Sequence, residues 1–158
     1  MNACTNITVY SGASCLLDLK EMKGNKRRYI LDHVVVYDVE FDCGTLRVQT
    51  EPGFIFDGRS GPSCIDWYAP NLGSLDERIA WHMHDCLGYA QSLNFSGTNK
   101  ALRFVLRDQA GYSALKAWTI YKAVGMSKSW YGKPSPRNWC YANLGKVQTI
   151  WVPKKQAA

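Results

Sequence analysis

The chain has 158 residues, 46% hydrophobic and 20% charged, the composition of one ordinary globular domain spanning 1–158 and large enough for a real core. Its net charge of +6 is uneven: residues 1–93 carry 8 Lys/Arg against 12 Asp/Glu, and residues 94–158 carry 11 Lys/Arg against the single acid Asp108. No transmembrane segment is expected from Val34-Val35-Val36-Tyr37, which is far too short to cross a bilayer, and the start Met1 to Asn6 has no signal-peptide pattern.

In chain order, Asn6-Ile7-Thr8-Val9-Tyr10 predicts a short strand and Ser11 to Ser14 a turn. Cys15 to Leu19 suits a second short strand, and Lys23 to Arg28 a basic turn with Gly24-Asn25 at its tip. Tyr29 to Glu40 predicts one long strand, with His33 on the sheet surface. Asp42-Cys43-Gly44 reads as a hairpin turn that pairs Thr45 to Thr50 with it. Glu51-Pro52-Gly53 breaks the sheet, Phe54-Ile55-Phe56 is one more extended piece, and Asp57 to Gly73 is a long loop. Loops of that length are where binding residues gather.

A helix follows from Leu75 to Ala90, with Ser74 as N-cap, Asp76 and Glu77 at the positive end of its dipole, and an apolar face of Ile79, Met83 and Leu87. It carries His82 and His84. On a helix, residues two apart diverge by about 200°, so the two histidines are not expected to share one ion. His84 is expected to be part buried, with Asp85 turned towards Trp81. A histidine and a carboxylate there either share a metal or hold one another in place. Cys86 is either a nucleophile beside a histidine or a small core residue.

A second helix is predicted around Ala101, Leu102, Phe104, Val105 and Leu106, N-capped by Thr98. A third runs from about Ser113 to Ala123, with Ala114, Ala117, Trp118 and Tyr121 on one face and Trp118 in the core. The segment from Ser127 reads as irregular, with a last strand at Val147 to Val152. The fold class expected is α+β: a small N-terminal antiparallel sheet, three helices packed on one side and an irregular C-terminal segment.

The six cysteines form no C-x-x-C pair, which argues against a structural zinc site and favours buried thiols. Phosphate-binding glycine loops, H-E-x-x-H and G-x-S-x-G are absent. Asp57, on the long loop, is the natural third member beside His84 and Asp85, or else caps its own loop. Lys100, Arg103 and Arg107 share a helical face, and Lys116, Lys122, Lys128, Lys133 and Arg137 extend the same sign among Trp118, Trp130 and Trp139. Such a stripe suits an acidic protein neighbour or, weakly and without sequence preference, nucleic acid.

Three features in order resemble the phage-associated family of unknown function DUF1353. They are the strand and loop Gly53-Phe54-Ile55-Phe56-Asp57-Gly58-Arg59-Ser60-Gly61-Pro62, the helical His84-Asp85-Cys86-Leu87-Gly88-Tyr89, and a helix pair from Lys100 to Trp130. The resemblance covers about residues 45–130. It departs at Gly88, where the family-like motif has its tyrosine, and at Asn99, where an acid is expected. It implies a tailed-phage origin, and hence a place in the host cytoplasm or the virion, and directs attention to Asp57, Ser60, His84 and Asp85.

Two functions are carried forward. In the first, Asp57, His84 and Asp85 form a hydrolytic site, with or without a divalent metal ion held by those three, and Ser60 or Arg59 orients an anionic or amide substrate. In the second, the protein is a virion or accessory phage protein. The same residues are then a structural polar knot, and the basic half meets a phage or host protein.

Overall fold

The computed structural model describes residues 4–11, 16–17, 19–22, 25–58, 68, 73–126, 143 and 145–154. Seven strands and three helices lie among them: β1 (Cys4–Ser11), β2 (Lys20–Met22), β3 (Asn25–Ile30), β4 (Val35–Phe41), β5 (Gly44–Thr50), β6 (Ile55–Phe56), α1 (Leu75–Ala90), α2 (Phe95–Asp108), α3 (Ala114–Gly125) and β7 (Val147–Pro153). The fold is α+β. Its strands form two antiparallel sheets where one was expected: a four-stranded sheet in the order β1-β4-β5-β7 and a three-stranded one in the order β2-β3-β6.

The single strand expected from Tyr29 to Glu40 is split by this division. Leu31 still follows β6, one step beyond the Ile30–Ile55 pair, donating to Phe54 O (2.8 Å) and accepting from Gly53 N (2.7 Å). Asp32 and His33 then lie on an exposed bend, bonded to each other at 2.5 Å, with Lys20 on Asp32 at 3.1 Å. His33 is therefore at a corner between sheets and not within a strand. β4 resumes at Val35, opposite Thr50. The strand predicted at Cys15 to Leu19 falls later, as β2, while Cys15 and Asp18 lie outside the described residues.

The β4–β5 hairpin turns on Asp42-Cys43, as expected, and Phe41 pairs with Gly44. A side chain at Gly44 would meet Val152 O at 2.6 Å and Trp151 Cζ2 at 2.7 Å, so the missing Cβ is what lets β7 approach. Trp151 then packs on Phe41, ring centroids 5.9 Å apart. The inward row Leu46, Val48 and Thr50 alternates with Thr45, Arg47 and Gln49, the period of a sheet with one covered face. Its core continues into Tyr37, Val39, Phe54, Phe56 and the helices.

α1 begins with a capping box: Ser74 Oγ accepts from Glu77 N at 3.3 Å, and Glu77 Oε2 accepts from Ser74 N at 2.5 Å. It was expected to bury one face. Instead every residue from Ile79 to Gly88 is buried, while α2 lies between it and α3. α2 starts at Phe95 under an Asn94 cap that accepts from Gly97 N at 2.8 Å, and not at Thr98, which is buried inside the first turn. α3 is capped by Ser113 and buries Ala117, Ile120, Ala123 and Val124. Trp118, expected in the core, stands 100° round from Ala117 and is 44% exposed, with the Lys122 ammonium 5.5 Å over its ring.

Candidate functional site

α1 sends its two histidines in opposite directions, into two kinds of environment. His82 enters the sheet side of the core. Its ring lies edge to face with Phe54 (5.3 Å) and Phe56 (5.0 Å) and tilted against Tyr37 (5.4 Å). Its Nδ1 is hydrogen-bonded to the Tyr37 hydroxyl. Burial disfavours the charged form and pushes its pKa down from 6.5 to about 3, so the imidazole is neutral at physiological pH.

Cys86 lies one turn along, its sulfur 3.7 Å from both ring nitrogens. Its thiol is pushed well above the usual range, by burial first and by the Asp85 charge second. It stays a thiol, and of its two sequence readings the small core residue fits.

His84 faces the other way, towards α2. Its Nε2 is 2.8 Å from Asn99 Oδ1, and because an amide oxygen only accepts, Nε2 is the donor. Its Nδ1 is 3.6 Å from Asp85 Oδ1. The other Asp85 oxygen accepts from the main-chain N–H of Asp57 at 3.4 Å. His84 and Asp85 are each 0% exposed and Asn99 is 2% exposed, where part burial of His84 and a sideways-facing Asp85 were expected. Asp85 thus joins the end of β6 to α1 and His84 joins α1 to the first turns of α2, the two side chains lying 3.6 Å apart without a hydrogen bond between them.

β6, which leads to Asp57, is held at Ile55 as well. Asn143 accepts from Ile55 N (2.7 Å) and donates to Ile55 O (2.6 Å), pairing with β6 as a neighbouring strand would. Of the residues singled out in the sequence, Asp57, His84 and Asp85 come together, Asp57 reaching the pair through its main chain. Ser60 and Arg59 lie outside the described residues. Among the described residues no group of three or more His, Cys, Asp or Glu side chains is placed to hold a metal ion.

Asn99 and Asn143 were not foreseen as members. In the sequence Asn99 stands out only as a departure from an expected acid. A signal was present: asparagine is a poor helix former, and here it stands between Thr98 and Ala101 on the buried side of α2.

A second polar cluster closes the start of α1. Glu77, already capping Ser74, also accepts from the Tyr112 hydroxyl ahead of α3. Burial, then Glu77, raise the Tyr112 pKa above its ordinary value, so this phenol remains a donor.

Among the described residues, several members of the basic stripe have partners within the molecule. Arg107 bonds Asp108 twice at 2.7 Å, Arg103 lies 6.0 Å over Tyr121, and Lys116 lies 3.7 Å over Tyr112. Lys128, Lys133, Arg137, Trp130 and Trp139 lie outside the described residues.

The geometry defines an α+β protein built around a buried His–Asp–Asn cluster. Compared with protein-family models, curated proteins and solved structures, the chain matches no family model, no curated protein and no solved structure.

Proposed function

We propose that this is an interaction protein of a tailed phage, a virion or accessory component, in which Asp85, His84 and Asn99 form a structural polar knot. The observation that carries the reading is burial. A hydrolytic imidazole and carboxylate must reach both water and a substrate, and these two side chains have no exposed surface. Their contacts run to other parts of the chain instead, which is what a knot between loop and helices requires. The phage assignment rests on the resemblance over residues 45–130.

A binding role is supported by apolar groups left outside the core. Leu115 (70% exposed), Trp118 and Met126 lie along α3. Ile150, Trp151 and Val152 lie on β7, a strand without charged residues at the edge of its sheet. Proteins usually blunt such edges with charge, and larger exposed apolar patches mark sites of association. No helix among the described residues is long and apolar enough to cross a membrane. Nucleic acid is the weaker alternative, because ring and carboxylate contacts already occupy Arg103, Arg107 and Lys116.

Thermal melts with and without divalent ions test the reading against a metal-assisted hydrolase. The expected result is an unchanged melting temperature with Mg2+, Mn2+ or Zn2+ at about 100 times a micromolar Kd. A real site would add about 2.7 kcal/mol there and raise the melting temperature by about 5–10 °C. Such a rise, lost in His84→Gln, would contradict the knot.

A further inference from the structure

We propose that the cleft between the first turn of α2 and the last turn of α3 binds a small apolar carboxylate, an aromatic or branched aliphatic acid. The cleft has a volume of about 350 Å3 and is lined by Phe95, Ser96 and Asn99 from α2 and by Tyr121, Lys122 and Met126 from α3. It lies at the far end of the knot and goes beyond the interaction role argued above.

Asn99 decides the polarity of the ligand. The side chain is 2% exposed, its oxygen is taken by His84, and its amide nitrogen has no partner among the described residues. That nitrogen is not sealed from solvent, and the open space beside it is the cleft that the residue lines. Fixing the oxygen on His84 Nε2 leaves the two N–H donors for a ligand.

The other polar groups of the cleft have the same character. The main-chain N–H of Ser96, in the first turn of α2, has no acceptor within the helix, and the positive end of the α2 dipole points here. Lys122 adds a full charge, its ammonium held near the rings of Trp118 (5.5 Å) and Tyr121 (5.9 Å). No Asp or Glu lines the cleft. A site of donors and positive charge takes an anion. Phe95, Tyr121 and Met126 supply apolar walls that a bare inorganic anion would leave uncovered, which points to a carboxylate on an apolar body.

The test is a 15N–1H NMR titration of the full chain with sodium benzoate, beside acetate, benzyl alcohol and inorganic phosphate. Benzoate is expected to give saturable shifts confined to residues 95–99 and 121–126, with a Kd of about 1 mM, the order suited to so small a ligand. Acetate and benzyl alcohol, each with half of the recognised chemistry, should bind at least tenfold more weakly. Asn99→Asp keeps an acceptor for His84 but turns an acid to the cleft, and should weaken benzoate at least tenfold. Lys122→Gln, on an exposed side chain that the fold does not need, should weaken it several-fold. The proposal is overturned if benzoate gives no saturable shift up to about 20 mM, if its shifts persist unchanged in both variants, or if phosphate binds as tightly. These outcomes are independent of the metal melts, so either conclusion can fail without the other.

Discussion

Replacement of His84 by alanine is expected to lower the free energy of unfolding by about 2–4 kcal/mol, the order for truncating a large buried side chain together with a buried hydrogen bond. Three losses coincide. Asp85 keeps its buried carboxyl group without the imidazole 3.6 Å away, Asn99 Oδ1 loses its 2.8 Å donor, and a fully buried ring leaves a void. They are coupled and do not add. Against a total stability of about 5–15 kcal/mol this is a substantial fraction. His84→Gln keeps a donor and much of the volume and should cost less, about 1–3 kcal/mol. Urea denaturation with an unchanged m-value reads both. A loss below about 1 kcal/mol for alanine would mean that the imidazole is not held as described.

The second large effect is on pH dependence and belongs to His82. In the unfolded chain this histidine takes up a proton near 6.5, and in the folded protein only near 3. The unfolded state therefore binds more protons between those values. The contribution is whole above pH 6.5 and is lost as pH falls towards 3, at about 1.4 kcal/mol per unit. Between pH 7 and pH 4.5 that amounts to about 2.7 kcal/mol. Carboxyl groups elsewhere also titrate in this range, so the informative quantity is the difference between wild type and His82→Gln, which retains a partner for Tyr37 but does not titrate. That difference should shift by about 2–3 kcal/mol in the variant's favour on acidification. A difference constant with pH would show that His82 is not sealed between Phe54 and Phe56. Protonating it would loosen the segment that leads to Asp57, so acid should open the knot from the sheet side.

What could be read in the sequence was local. Ser74 and Glu77 stand three apart and form the box that starts α1, Asp42-Cys43 turns the hairpin, and the β-rich run at Val147 becomes β7. The misreadings come from contacts between distant residues. Tyr29 to Glu40 is continuous in composition, and only its change of partner breaks it, from β6 up to Leu31 to β5 and β1 from Val35 on. Asn94 and Thr98 are both good caps, and the burial of Thr98 in the first turn decides between them. α1 looks amphipathic because His82, His84 and Asp85 are polar. Their partners, Tyr37, Asn99 and the Asp57 main chain, lie 15 to 45 positions away. A polar side chain with such a partner is indistinguishable, by periodicity, from one facing water. Asn143, 88 positions from Ile55, gives no local sign of its role.

The central claim is that Asp85 and His84 stabilise the fold as a unit instead of being held for chemistry. A double-mutant cycle of Asp85→Asn, His84→Gln and the pair, read by urea denaturation, tests it most directly. The knot predicts that both single variants are destabilised and that the double variant loses at least about 1 kcal/mol less than the sum, since either change already breaks the link. Groups held for a reaction are often a burden on stability, and replacing them tends to stabilise. Single variants as stable as the wild type or more so, with a coupling below about 0.3 kcal/mol, would contradict the account.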